Sequence, residues 1–161
     1  MAKTKTYGAF QAGPIVKRTI VEISALAAAG KLVDAEAKAR ELHNQFPGRA
    51  DVNDVLSLSL VDQKKYGAAV AFAEAAVKAE PHSSTYLVNL GRLYLDLEMI
   101  EDALPVLERA VACRPSPFEA SWALAAFFLK SGKAERSIDY FEKALATADG
   151  QAAAQIRFNY F

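Results

Sequence analysis

The chain has one cysteine, Cys113, so no internal disulfide can form. It has two histidines, His43 and His82, and neither has a histidine, cysteine or acidic neighbour at ligand spacing. A zinc site is therefore not expected. Glycine-rich phosphate loops are missing. Cys113 has no visible base beside it, and Asp34, Asp139 and Glu142 sit in ordinary helical charge patterns, so nucleophilic and paired-carboxylate chemistry have no support. No apolar run is long enough to span a membrane. The N-terminus, MAKTKTYGAFQAGP, lacks the continuous apolar core of a signal peptide. Nineteen basic and nineteen acidic side chains cancel. A nucleic-acid binder or a polybasic membrane anchor would show a basic excess. Strand-like alternation appears nowhere. Together these absences predict a cytoplasmic, non-catalytic chain that uses no cofactor.

What is present is alanine and periodicity. Half of the 161 residues are hydrophobic (52%) and a quarter are charged (24%), a globular composition, and abundant alanine favours helix. Pro47, Pro81 and Pro115 recur every 34 residues. Three more ladders keep that register: Ala35, Ala69, Ala103 and Ser137; Leu42, Ala76, Ala110 and Ala144; Leu26, Leu60, Tyr94 and Phe128. A fixed period of this length marks a stacked helical repeat. The prolines sit between units, because proline cannot continue a helix from inside it and biases the preceding residue away from helical angles.

The third unit is the clearest, with Leu87, Leu90-Gly91, Tyr94, Ala103, Leu107 and Pro115. That pattern resembles the tetratricopeptide repeat, and the resemblance covers roughly residues 16–151. It implies an all-α, right-handed superhelical solenoid of antiparallel helix pairs. Units are expected at about 16–49, 50–83, 84–117 and 118–151, with a partial fifth over 152–161. Residues 1–14 read as a flexible leader and 15–161 as a single domain, Pro14 opening the first helix. Helices are predicted at about 15–29, 33–45, 50–62, 66–79, 84–96, 100–112, 118–130 and 134–147, then a ninth from 151. Small residues such as Gly91 and Ala125 would let helices approach, and Tyr94 and Phe128 would fill the space between them. The first unit departs most, with Glu22 where leucine is usual. Both histidines are expected on the surface near helix ends, and Cys113 as a small packed hydrophobe.

In such arrays the first helix of each pair lines the inner surface. Helical spacing then selects Asp54, Val55, Leu58 and Asp62; Val88, Asn89, Arg92 and Asp96; and Trp122, Ala126 and Leu129 as candidate peptide-binding residues. Val55, Leu58, Val88, Trp122 and Leu129 would form an apolar strip, or some of them would only pack against the adjacent repeat. The acidic tilt suits a peptide with apolar anchors and a basic residue or two. Trp122 falls one place after the slot where the family pattern puts tryptophan, which would turn it toward the groove. The clamp that chaperone-binding members use for a C-terminal carboxylate is missing. Its positions hold Ile20, Ser24, Val55, Thr85 and Asn89, or one unit on, Asp54, Leu58, Asn89, Glu119 and Ala123. The asparagine ladder of the glycosyltransferase type is missing too, since Val21, Val55 and Ala123 flank a lone Asn89.

The resemblance implies a protein-protein interaction scaffold holding a peptide or partner helix, with no nucleic acid and no membrane insertion. Two other readings stay open. The array would be the arm of a larger bacterial enzyme, such as a transferase, cut after Phe161. Or it would self-assemble as a homodimer through the aromatic terminus Ile156, Phe158, Tyr160 and Phe161.

Overall fold

In a computed structural model of the chain, residues 9–113, 118–148 and 150 are described. They form eight helices in chain order: α1 (Ala9–Ala28), α2 (Leu32–Gln45), α3 (Ala50–Val61), α4 (Tyr66–Ala79), α5 (Ser84–Asp96), α6 (Ile100–Ala112), α7 (Phe118–Lys130) and α8 (Ala134–Thr147). Among the described residues there is no strand, so the chain is an all-α repeat solenoid of four helix pairs. The terminal residues expected to form a ninth helix and to self-associate, Ile156, Phe158, Tyr160 and Phe161, lie outside the described residues.

One boundary differs from expectation. α1 starts at Ala9, so Pro14 lies inside it and does not open it. Proline there removes one intrahelical donor. The buried faces of Ala12 and Val16 on either side keep the helix packed through the loss.

Within each of the four pairs, the two helices are joined by the same turn. Gly30, Lys64, Glu98 and Gly132 all adopt left-handed φ, between 59° and 74°. The next amide in each case reaches back five residues, from Lys31 to Leu26, Lys65 to Leu60, Met99 to Tyr94 and Lys133 to Phe128, at 2.8–2.9 Å. This is the glycine-favouring Schellman closure, which satisfies carbonyls left open at a helix end.

Within a pair, closeness is set by one slot. Gly91 faces the fully buried Leu107 of α6, and a Cβ on Gly91 would stand 2.6 Å from Leu107 Cγ. Ala125, fully buried, holds this slot in α7. In α3 it is Ser57, whose buried hydroxyl donates to the Ala69 carbonyl of α4 at 3.0 Å. The first unit places Ile23 here, 1% exposed, and α1 and α2 approach less closely along their length than the other pairs. Glu22, in the leucine slot, is half-exposed and pairs with Lys38 of α2. Large side chains fill the layer between helices, with Leu56, Leu60, Leu87, Leu124 and Phe128 fully buried. The Tyr94 hydroxyl donates to Glu74 at 2.8 Å, and Arg136 lies 4.1 Å over the Phe128 ring.

Between pairs, each second helix packs on the first helix of the next unit, and the first helices α1, α3, α5 and α7 approach one another in turn, whereas the backbones of the second helices stay further apart. The array therefore bends with its first helices on the inside. Glu36 ties the first pair to the second. Its carboxylate accepts from Arg40 at 2.7 Å, Gln63 at 2.7 Å and Lys65 at 2.6 Å. Those donors, the Lys65 ammonium foremost, hold it well below the usual range, at about 2. His43 is not a surface residue: it is half-buried, edge-on to Phe72 with ring centroids 5.1 Å apart. Cys113 is half-buried, its thiol 3.4 Å from the His82 carbonyl.

Three outcomes follow for unfolding experiments. Gly91→Ala lowers stability, because overpacking against Leu107 costs about 1–3 kcal/mol and outweighs the ~1 kcal/mol helix-propensity gain. Trimming Leu107 to alanine in the same chain relieves part of the clash, which appears as non-additivity in a double-mutant cycle. Lys64→Gly and Glu98→Gly act the other way. A left-handed residue costs roughly 1–2 kcal/mol and glycine's extra chain entropy about 0.5–1, so each raises stability by about 0.5–1 kcal/mol in urea titrations. Finally, Glu36 has a folded pKa below its unfolded value. Its contribution is complete above pH 4.5 and is lost as pH falls from there through about 2. The melting temperature of Glu36→Gln is thus expected to fall less steeply than that of wild type over this window.

Candidate functional site

The inner surface is one stripe of each first helix, set by the helical period. Because the units repeat every 34 residues, the stripes line up in rows. Leu58, Arg92 and Ala126 make one row; Asp62, Asp96 and Lys130 make another nearer the helix C-termini. Leu58 is 41% exposed and Leu129 48%. Asp62, Arg92 and Asp96 are exposed and Ala126 is half-buried.

The flanks of the stripe behave differently. Asn89 donates its amide to Asp54 Oδ1 at 2.9 Å, which joins α5 to α3. One unit on, those two slots hold Val88 and Ala123, and both are buried. Val55 shares the Asn89 slot and is buried as well. Val55 and Val88 thus belong to the core between first helices and do not extend an open apolar strip. A second tie runs from the Lys130 ammonium to the Leu95 carbonyl at the C-terminal end of α5, 3.1 Å away. Trp122 is half-buried and meets Phe141 of α8 edge-on, with ring centroids 5.4 Å apart, so part of it leans away from the groove.

Between α5 and α7 the surface dips into a cavity of about 360 Å³ lined by Thr85, Val88, Asn89, Arg92 and Glu119. Val88 supplies an apolar floor; the walls carry a cation and an anion. Beside it, across Asn89, lies a negative region. Arg49 forks onto Asp51 with bonds of 2.9 and 2.7 Å. Burial pushes the Asp54 carboxyl above its usual range, against the Asn89 hydrogen bond, and Asp51 adds to the push. The Tyr86 hydroxyl is pushed up to about 12 by burial and by the carboxylates of Glu80, Asp54 and Asp51. Tyr86 escaped the sequence reading, although a tyrosine stands out in a slot that holds Val52 and Ala120 in neighbouring units. Among the described residues, no three histidine, cysteine, aspartate or glutamate side chains are grouped to hold a metal ion.

Residues 55–116, and again 88–153, match the family described as tetratricopeptide repeat, and the two matches together span more than half of the chain. The chain belongs to the tetratricopeptide repeat family. Among curated proteins it is 26% identical over 129 residues to Superkiller protein 3 of Saccharomyces cerevisiae; the match covers 80% of this chain but only 9% of that protein. Among solved structures it is similar to pilF of Pseudomonas aeruginosa, with a TM-score of 0.80 at 18% identity, over 91% of this chain and 69% of the other. It is similar to TTC0263, a thermophilic tetratricopeptide protein of Thermus thermophilus, with a TM-score of 0.78 at 18% identity, over 89% and 80% of the two chains. MamA gives a TM-score of 0.71 at 17% identity, over 85% and 80%. Identities this low show a common fold. Tetratricopeptide proteins are in general non-catalytic scaffolds that bind other proteins. Among the described residues no helix is long and apolar enough to cross a membrane.

Proposed function

We propose that this tetratricopeptide array is a non-catalytic scaffold that holds a peptide or partner helix in its inner groove. The observation that carries the reading is the cavity between α5 and α7, whose apolar floor at Val88 lies between the charged walls of Arg92 and Glu119. Small recognition sites commonly combine an apolar base with a few convergent polar groups. Leu58 and Leu129, half-exposed on the same inner surface, give apolar seats on either side of it. Trp122 adds an aromatic edge at the α7 end, and Asp54, Asp62, Asn89 and Asp96 supply the polar rim. A cytoplasmic setting accords with the absence of a spanning helix among the described residues.

One comparison favours a second reading. Superkiller protein 3 contains a similar stretch within a chain that this one matches over 9% of its length, so an array of this size also serves as one arm of a larger protein. Activities of such a whole would lie outside these repeats.

A random library of 12-residue displayed peptides, selected on the full chain, tests the groove. Selected peptides are expected to lose tenfold or more in affinity for Arg92→Glu and for Leu58→Ser/Leu129→Ser, and less for Trp122→Ala. Unchanged affinity for the first two would move the binding surface to the outer face.

A further inference from the structure

We propose that Asp54 is the groove's cation-recognition group, receiving a lysine or arginine side chain from a basic, apolar-anchored segment laid across α3, α5 and α7. The proposal rests on the groove reading above and names the chemistry of the occupant.

Four observations lead to it. First, the Asp54 carboxylate is half-buried, yet among the described residues no lysine, arginine or histidine stands within ion-pair distance of it. Its recorded hydrogen bond comes from the neutral Asn89 amide. A buried charge without a partner is unfavourable, and a cation brought by a ligand offsets that cost. Second, the cation that this neighbourhood does contain, Arg49, is committed to Asp51 through two hydrogen bonds. Third, the nearby Tyr86 hydroxyl is raised by burial and then by the carboxylates of Glu80, Asp54 and Asp51, with Arg49 opposing them, so carboxylates outnumber cations around it. Fourth, the row nearer the helix C-termini has the same sign. Asp62 and Asp96 stand at the C-terminal ends of α3 and α5, where the helix dipole is already negative and no basic residue lies in the last turn. Lys130, in the same row, is turned to the Leu95 carbonyl.

The Asn89 amide also holds Asp54 at a fixed place on the inner surface, so the carboxylate is positioned before any ligand arrives. Arg92 limits the occupant. A continuous run of cations would meet it, so the basic residues are spaced, with apolar side chains at Leu58 and Leu129 and an acidic residue over the cavity facing Arg92.

Asp54→Asn separates charge from shape, because the new amide oxygen still accepts from Asn89. The displayed 12-residue library is selected in parallel on wild type and on Asp54→Asn. Wild type is expected to enrich lysine or arginine at a fixed distance from an apolar residue; Asp54→Asn keeps the apolar residue and loses the enrichment. Replacing that lysine by methionine in one selected peptide should then weaken binding to wild type by tenfold or more and leave binding to Asp54→Asn unchanged. Equal enrichment on both proteins, or an equal loss from the lysine change, overturns the proposal and leaves the groove reading intact. Failure to select any peptide that responds to Arg92→Glu removes both. Thermal unfolding at pH 7 guards against misfolding. An acid whose folded pKa is raised subtracts stability once it is ionised, so Asp54→Asn is expected to melt at or above wild type, and a lower melting point counts against the proposed uncompensated charge.

Discussion

Each helix pair depends on one close approach. Where α5 meets α6, the backbone of Gly91 lies against the side chain of Leu107 with no room for a methyl group. Ser57 and Ala125 keep the same slot small in the second and fourth units, and Ser57 also uses its hydroxyl to satisfy a carbonyl across the gap. Packing at interior density makes such a slot intolerant of even one carbon. The first unit shows the converse. Ile23 fills the slot, the pair loosens, and Glu22 and Lys38 replace apolar contact with an ion pair at the end of the array. Size at one position per unit thus decides how tightly each pair closes.

The pairs meet where each second helix packs on the next first helix and, along the inner side, where the first helices approach one another. The first helices pack on each other and carry polar ties from one unit to the next, Asp54 with Asn89 and Lys130 with the Leu95 carbonyl. Each tie joins residues 35 apart, one repeat plus one position, because each first helix presents one flank forward and the other back. The groove lies between these flanks. Its open surface is accordingly narrower than the helical period suggests, and its sign is dominated by carboxylates with few cations left over.

Much of this was legible in the sequence. The 34-residue ladders placed α2 to α8 within a residue of where they lie, because proline, small-residue and aromatic slots each answer to a strict steric demand. The start of α1 was not legible: Pro14 reads as a helix opener, and only the burial of Ala12 and Val16 explains a helix running through it. Periodicity marks one side of each first helix but does not divide its open centre from its packed flanks. Val55 lies among the packed flanks, since its burial depends on the neighbouring unit and not on its own helix, whereas Val88, equally buried, floors the cavity. The left-handed turns at Lys64 and Glu98 were hidden because neither residue favours that conformation, although glycine at the matching positions, Gly30 and Gly132, marks it. Pairing of Asp54 with Asn89 is a long-range fact that no local pattern records.

Every second helix from α2 to α6 packs on the first helix of the pair that follows, and on the outer side α2 and α4 also meet through the His43 and Phe72 rings. Mechanically, the array is a laminate whose leaves are bonded across their faces. A load applied at one end passes from leaf to leaf through these faces, so the groove on the inner side moves with the stack and not independently of it.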